Sequence, residues 1–239
     1  AYEIKECDWS SDVCSSDLAL AQVTGNVGVT SDYRFRGISQ TQNALALQGG
    51  ADYSHKSGFY VGNWNSTVSN RMYTDSTGLE MDLYGGYKME VAKGLKLDVG
   101  SYNYVYSQAG NKFSSNSNTN ELYVGLEQGP VAVKYSRSIT NYFGLADSKG
   151  TQYLQADVNY PVVKDITANA HVGRTLVHNH STSDYTDVRV GATVMVQGFG
   201  VGAHYYTNLN KGTQVATNNT IDGQNLYKNA FVVSVSRSF

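Results

Sequence analysis

The last ten residues, Ala230–Phe239, have the sequence AFVVSVSRSF, and this stretch narrows the fold more than any other. In an extended strand its side chains alternate, so that Phe231, Val233 and Val235 fall on one face and serines fall on the other. An aromatic residue that closes such a strand is the usual ending of a bacterial outer-membrane β-barrel. A strand with one wholly apolar row needs an apolar surface to face, either a protein core or lipid. The rest of the chain has to distinguish these two cases.

Composition excludes membrane-spanning helices but leaves a barrel open. The 239 residues are 41% hydrophobic with a mean hydropathy of −0.37, and no stretch approaches the roughly 18 consecutive apolar residues of a membrane helix. Barrel strands turn only half of their residues toward lipid, so they give weak hydropathy signals. The 19 tyrosines suit aromatic girdles at two membrane interfaces, because the ring is apolar and the hydroxyl favours water. A tyrosine-rich soluble sandwich fits the same composition.

The amino-terminal residues differ in character from the rest of the chain. Cys7–Leu18 can be back-translated into a nucleotide sequence that resembles a common sequencing-library adapter, so we interpret residues 1–18 as a disordered assembly artefact. An acidic disordered leader is the alternative. Residues 19–21 (Ala-Leu-Ala) fit the end of a secretory signal at its cleavage site. Both cysteines lie within 1–18, so residues 22–239 hold neither a disulfide framework nor a thiolate metal site.

Charge and motifs argue against several function classes. Residues 1–21 hold one base and five acids; without them 17 bases remain against 15 acids, about +2, with no basic stripe for nucleic acid. The sequence His178-Asn179-His180 offers two metal ligands and places no third or fourth beside them. No G-x-S-x-G elbow organises a serine nucleophile. We therefore expect no enzyme activity, no cofactor and no metal.

From Val23 onward the chain alternates in polarity and shows no sustained helical period, which predicts twelve strands. In the fifth strand, Tyr102, Tyr104 and Tyr106 fall on the opposite parity from the leucines that begin it, which suggests a β-bulge. The predicted ranges are 23–36, 44–54, 58–68, 78–90, 94–107, 120–128, 130–140, 151–161, 165–177, 185–197, 199–208 and 226–239.

The predicted connections are of two kinds. Those that come after odd-numbered strands are long and polar, whereas those that come after even-numbered strands are tight and hold both prolines, Pro130 and Pro161. Long loops at one end and short turns at the other are typical of outer-membrane barrels. Residues 22–239 are therefore predicted to form an all-β, closed antiparallel up-and-down transmembrane barrel. An even strand number places both of its ends on the short-turn, periplasmic side.

The polar rows of these strands would enclose the barrel interior, since so many charges are not expected to pack without water. Twelve strands lie between small barrels filled by side chains and wide porins, so a narrow charge-lined pore is expected. The charged side chains could form a constriction for solutes or a salt-bridge network that plugs the lumen, and both possibilities stay open. His171 and His204 are expected in the same interior. The candidate pore-lining residues are Asp32, Arg34, Arg36, Glu80, Asp82, Lys88, Asp157, His171 and Arg189.

Three segments resemble the TorF-type family of small outer-membrane porins: Thr30–Thr41 (TSDYRFRGISQT), Gly58–Trp64 and the ending Val235–Phe239. The resemblance spans roughly Gln22–Phe239. It implies a bacterial outer-membrane location and a passive, narrow channel for small hydrophilic solutes. The partners implied are outer-membrane lipid and the barrel-assembly machinery, which would bind Phe239. The alternatives are a non-conducting structural or partner-binding barrel, an enzyme acting on lipid, and a soluble sandwich.

Overall fold

The computed structural model describes residues 22–73, 76–108, 115–212 and 220–239, so the interpretations of residues 1–18 and 19–21 lie outside the described residues. Twelve long strands form one closed barrel, as predicted. They are β1 (Gln22–Thr30), β2 (Ala46–Ser54), β3 (Phe59–Thr67), β4 (Leu79–Ala92), β5 (Leu95–Tyr106), β6 (Thr119–Gln128), β7 (Val131–Ser138), β8 (Gln152–Val163), β9 (Ile166–Leu176), β10 (Tyr185–Val196), β11 (Phe199–Leu209) and β12 (Ala230–Ser238).

Every strand pairs antiparallel with its neighbours in the chain, and β12 returns to pair with β1. This closing seam joins Asn26–Thr30 to Ser234–Ser238. Gly25 and Phe239 extend it by exchanging two backbone hydrogen bonds of 2.8 and 2.9 Å. Closure satisfies the backbone of every strand without leaving a sheet edge, which is the condition for a strand protein to stand in lipid. The predicted up-and-down barrel is therefore confirmed.

The connections divide as the sequence predicts. Two-residue turns such as Lys93–Gly94 and Gln197–Gly198 lie at one end, and the long connections lie at the other. Pro130 falls in a short turn as expected. Pro161 lies instead inside β8, next to a register shift against β9 that ends the regular pairing. Within the ranges described, no helix is long and apolar enough to cross a membrane.

The outer surface of the barrel is apolar. Phe59 and Val61 are 63% and 56% exposed, whereas Tyr60 and Trp64 of the same strand point inward, which resolves the ambiguous faces of the third strand. Valine and leucine rows of the other strands are exposed in the same way. These rows do not meet each other between stacked layers, so the sandwich alternative is excluded.

Many tyrosines lie in the barrel interior and not in the girdles at the membrane interfaces that the composition predicts. Pairing between β4 and β5 is unbroken from Glu80–Tyr106 to Glu90–Lys96, so the predicted bulge is absent from the tyrosine segment. The inward row of β5 changes from polar to aromatic because it fills the interior. Ten buried tyrosines among the described residues belong to this filling and not to interfacial girdles. They are Tyr33, Tyr73, Tyr84, Tyr102, Tyr104, Tyr106, Tyr123, Tyr153, Tyr185 and Tyr206.

The first strand is shorter than predicted, because β1 ends at Thr30 instead of residue 36. The chain then turns into the barrel and forms a small hairpin in which Arg34–Phe35 pairs with Ile38–Ser39. Its two turn residues, Arg36 and Gly37, have φ of 47° and 75°, the backbone of a type I′ turn. We call residues 32–41 the luminal hairpin.

Candidate functional site

The luminal hairpin is held in shape by the carboxylate of Asp32. Its Oδ2 accepts from Arg34 Nε at 2.7 Å, and its Oδ1 accepts from Ser39 Oγ at 2.6 Å. Asp32, Arg34 and Ser39 are all buried, so these charge-assisted bonds act with little competition from water. The two arms of the hairpin are thus joined by side chains as well as by their backbone pairs.

Arg34 also ties the hairpin to a distant part of the chain. Its Nη1 donates to the carbonyl oxygens of Gly37 at 3.1 Å and of Lys228 at 2.8 Å, and Nη2 donates to Asn43 Oδ1 at 3.2 Å. Lys228 belongs to the long connection that precedes β12. A single buried guanidinium therefore fastens the hairpin to the loop on the other side of the closing seam.

Arg36, in the turn, reaches the far wall. Its Nη1 and Nη2 donate to Oε1 and Oε2 of Glu121 on β6 at 3.0 and 2.6 Å, and Nη1 also donates to the hydroxyl of Tyr142 at 3.1 Å. The guanidinium lies 4.0 Å from the ring centre of Tyr153, a cation–π distance. Burial raises the pKa of Tyr142 to about 12, although Arg36 acts in the opposite direction, so Tyr142 remains a neutral acceptor for Arg36.

Tyr33 anchors the amino-terminal end of the same hairpin. Its hydroxyl donates to Glu80 Oε1 on β4 at 2.8 Å, and its ring packs edge-on against Trp64 at 5.3 Å between centroids. Burial, reinforced by the Glu80 carboxylate, raises the pKa of Tyr33 well above its usual value of 10.0. Tyr33 therefore stays protonated and keeps donating to Glu80.

Gly37 is required by space as well as by backbone conformation. A Cβ at this position would lie 2.4 Å from Asn208 Oδ1 and 2.7 Å from Cβ of Asp187. The Gly37 carbonyl in turn accepts a hydrogen bond from Asn208 Nδ2 at 2.9 Å. The turn is thus pressed against β10 and β11, where a larger residue would not fit.

The wall on one side of the hairpin is aromatic. Tyr84 and Tyr102 stack with centroids 5.0 Å apart and planes 9° apart, and Tyr104 meets Phe35 of the hairpin edge-on at 5.2 Å. Tyr102 donates to Asp82 Oδ2 at 3.2 Å, so a buried carboxylate sits among the rings. The aromatic wall, as we call it, consists of Trp64, Tyr84, Tyr102, Tyr104 and Tyr106.

The opposite wall is polar. The two ring nitrogens of His171 lie 2.7 Å from Asp157 Oδ1 and 2.8 Å from Asp187 Oδ2, and Arg189 Nη2 lies 3.7 Å from Asp157. Tyr153 donates to the Asp187 carboxylate at 3.1 Å. The polar wall, as we call it, consists of Asp157, Asn169, His171, Asp187, Arg189 and His204.

The half of the lumen nearer the short turns is partly open to solvent. Asp52, Asn159 and Thr167 are intermediate in exposure there, and the Lys88 side chain, 3.3 Å from Glu127 Oε2, is 18% exposed. Inward residues nearer the long loops, such as Glu80, are almost completely buried. Solvent therefore reaches some of the inward side chains near the short turns, whereas others there, such as Asp98, are fully buried.

A chamber of about 90 Å³ lies against the hairpin in the middle of the barrel. It is bordered by the hairpin, by the aromatic wall and by the polar wall, so all three elements meet around one space. Its side chains come from strands on opposite sides of the barrel, including Gln48, Trp64, Gln155 and Tyr206.

All nine candidate residues lie inside the barrel, but in two different settings. Asp32, Arg34 and Arg36 do not share the inward face of a first strand; they belong to the luminal hairpin, because β1 ends at Thr30. The other six lie on inward positions of β4, β8, β9 and β10 as expected. They are Glu80, Asp82, Lys88, Asp157, His171 and Arg189.

Sequence reasoning missed several inward partners. Glu121 and Glu127 alternate with the outward leucines of β6, so parity alone would have found both. Asp187 is different, because its alternation with the outward valines of β10 does predict an inward position, although it is not among the nine pore-lining candidates. Tyr142 lies in a long connection, where alternation carries no information, and no sequence signal marks it.

The same geometry bears on metal binding. Across the described part of the chain, no three His, Cys, Asp or Glu side chains are grouped so as to hold a metal ion. His171 instead separates the two carboxylates that flank it, so that the three groups satisfy one another.

The described residues form a closed twelve-stranded antiparallel β-barrel with an apolar exterior and a charged interior. The chain belongs to the Gcw_chp family, described as bacterial proteins of unknown function, whose model matches residues 17–239. No curated protein matches the sequence.

Two of the solved structures that share the fold are porins. The KdgM porin in complex with disordered oligogalacturonate has a TM-score of 0.56 and 10% identity, over 91% of this chain and 98% of that chain. The NanC porin has a TM-score of 0.53 and 12% identity, over 90% of this chain and 99% of that chain. At these identities the likeness concerns the fold alone.

Proposed function

We propose that this protein is a narrow outer-membrane channel for small hydrophilic solutes, with the luminal hairpin as its constriction. The observation that carries the proposal is the polar lining of the lumen, which is partly exposed to solvent near the short turns and borders a chamber at the hairpin. The hairpin is a loop segment, whereas the tyrosines that narrow the lumen from the wall belong to strands. A displacement of that segment would open the path without breaking the barrel.

The proposal includes the bacterial outer membrane as the location and its lipid as the partner of the apolar rows. The resemblance of Thr30–Thr41 to the TorF-type porins agrees with it. Binding of the carboxyl-terminal Phe239 by the barrel-assembly machinery belongs to the same proposal. No chemical step and no cofactor are required, since a passive channel only selects by size and polarity.

A specific observation favours a second candidate, a non-conducting barrel. The Arg36–Glu121 pair is two-point and nearly solvent-free, with side chains 2% and 3% exposed. Leaving either charge buried without the other is expected to cost about 3–5 kcal/mol, so the hairpin could be fixed in place permanently. In that case the lumen filling would serve stability or partner binding at the long loops.

Single-channel recording in planar bilayers tests the two candidates. The refolded full chain is compared with a variant in which residues 32–41 are replaced by a short Gly/Ser linker. A channel predicts resolvable conductance steps for the full chain, with larger steps for the linker variant. A silent full chain beside a conducting linker variant would refute the channel and support the plugged barrel. Silence of both proteins, with folding shown by heat-modifiable migration in gels, would also refute it.

A further inference from the structure

The central chamber is small. Its volume is about 90 Å³, whereas one buried water needs roughly 10–15 Å³. Engineered cavities that accept benzene measure about 150 Å³. An occupant other than water therefore has only a few non-hydrogen atoms, unless it extends toward the open half of the lumen.

Several buried polar atoms of chamber-lining residues lack a hydrogen-bond partner. Among them are Trp64 Nε1 and Arg36 Nε, which are donors, Gln155 Oε1, which is an acceptor, and Ser234 Oγ, which can be either. The Gln155 amide is oriented by its Nε2, which donates to Asp157 Oδ2 at 2.9 Å. Buried polar groups are normally satisfied, and each exception calls for an occupant or another explanation. Here the exceptions belong to residues of β3, β8, β12 and the hairpin, all of which line one chamber.

The charges around the chamber nearly balance. Three carboxylates, of Asp32, Asp82 and Asp187, face the guanidinium groups of Arg34 and Arg36, and His171 lies beside them. These groups are already engaged with one another, as in Asp32–Arg34 and Asp187–His171. A charged occupant would meet both signs and would lose its own hydration, so the lining favours a neutral one.

The apolar part of the lining is mostly aromatic. Trp64, Tyr102, Tyr104 and Tyr206 border the chamber, and aromatic faces carry a negative quadrupole that attracts weakly positive C–H groups. Free donors, a free acceptor and ring faces together suit a molecule that carries both hydroxyl and C–H groups.

We propose that the chamber is a binding site for a small neutral polyol of about three carbons, with glycerol as the reference ligand. This inference rests on the proposed function, since it names the class of solute that the channel would select. Trp64 Nε1 donates to one hydroxyl and Gln155 Oε1 accepts from another. The ring faces cover the carbon chain.

The test uses the refolded full chain in detergent micelles with ¹⁵N-labelled tryptophan. The indole N–H signal of Trp64 is assigned with the W64F variant and followed during glycerol titration. The site predicts a saturable shift of this signal. Gln155→Met removes the acceptor and keeps the side-chain length, and it should weaken binding by about five- to tenfold, the worth of one hydrogen bond. Gln128→Met, at an exposed position beside a short turn, is the matched control and should leave binding unchanged.

Charged analogues of the same size complete the test. Glycerate and 3-amino-1,2-propanediol should each bind at least about tenfold more weakly than glycerol, because one charge loses its hydration in a balanced site. A linear, unsaturable shift with glycerol would mean that the chamber holds ordered water only and would overturn the proposal. Equal binding of the charged analogues would overturn it as well.

The binding site and the channel can be refuted independently of each other. Saturable glycerol binding by a protein that never conducts would refute the channel and leave the site. Conductance without saturable binding would refute the site and leave the channel.

Discussion

Arg36, in the turn of the luminal hairpin, forms a two-point ion pair with Glu121 on the far wall, although the two residues are 85 positions apart in the chain. Both side chains are shielded from solvent, and the guanidinium also lies against the rings of Tyr153 and Phe35. This pair is the hairpin's two-point attachment to β6 across the lumen.

Arg36→Met should lower the free energy of unfolding by about 3–5 kcal/mol, because Glu121 stays buried without its guanidinium. It should also raise the conductance, since the turn loses its hold on β6. Urea titration in lipid vesicles measures the first effect and bilayer recording the second. Arg71→Met is the matched control, because Arg71 is 69% exposed and pairs with Asp222 only at 3.6 Å, so less than about 1 kcal/mol is expected. Equal effects of the two variants would contradict the assigned role of Arg36.

Gly37→Ala should destabilise the protein more than Gly198→Ala. Both glycines have positive φ, 75° and 81°, so both variants bear a backbone cost of about 1–2 kcal/mol. Only at Gly37 does the new Cβ also collide with Asn208 and Asp187, while at Gly198 nothing lies within 4 Å. The difference between the two variants in free energy of unfolding, measured by urea titration, gives the cost of the collision alone. Matching midpoints would show that the turn is not pressed against the wall.

Val190→Arg should cost about 2–4 kcal/mol and Val196→Arg about 0–1 kcal/mol, because the first lies at the middle of β10 and the second at its short-turn end. The two valines are similarly exposed, at 48% and 50%, so depth in the bilayer is the variable that differs. Equilibrium folding into vesicles gives both values. If Val190→Arg were harmless, the valine row of β10 would not face hydrocarbon.

Stability should fall as the pH rises from about 10 to about 12. The pKa of Tyr142 is about 12 in the folded protein, above the value of about 10 of an unfolded chain. The unfolded state therefore releases its proton first, and the stability contributed by the neutral phenol is lost over that interval. Tyrosinate absorbance and heat-modifiable migration, followed together, measure it. Tyr142→Phe should make the fall less steep, whereas Tyr160→Phe, on the exposed outer surface, should not; identical profiles for the two variants would refute the assignment.

Alternation and loop lengths were sufficient to predict the wall of this protein. The polarity period of β10 and the short turns at Gln197–Gly198 and Lys93–Gly94 depend only on neighbours in sequence, and neighbours in sequence pair in an up-and-down barrel. The contents of the lumen obey no such rule. The alternating string Asp32–Arg36 continues the pattern of β1, and its Arg-Gly turn lacks the Asn-Gly or Asp-Gly signature that marks a type I′ hairpin. The inward fold was therefore invisible in the sequence.

The expectation that the interior charges would stay hydrated was also wrong. Asp82 and Glu80 are each 1% exposed, and they receive hydrogen bonds from Tyr102 and Tyr33. Tyrosine supplies bulk and a donor from one residue, so carboxylates can be buried among rings without many cations. The pairing of each tyrosine with a carboxylate depends on the strand register and on the position of the hairpin. Composition determines neither of these.

The partners of the luminal hairpin come much later in the chain than the hairpin itself: Glu80, Glu121, Asn208 and Lys228 lie 47, 85, 171 and 194 positions beyond their contacts. The hairpin cannot make these contacts until the last strands have paired with the first. Each newly made copy is therefore expected to pass through a folding intermediate in which the barrel has formed but the hairpin has not yet docked. The rate at which the hairpin docks would then set how long the lumen of a new barrel stays unfilled.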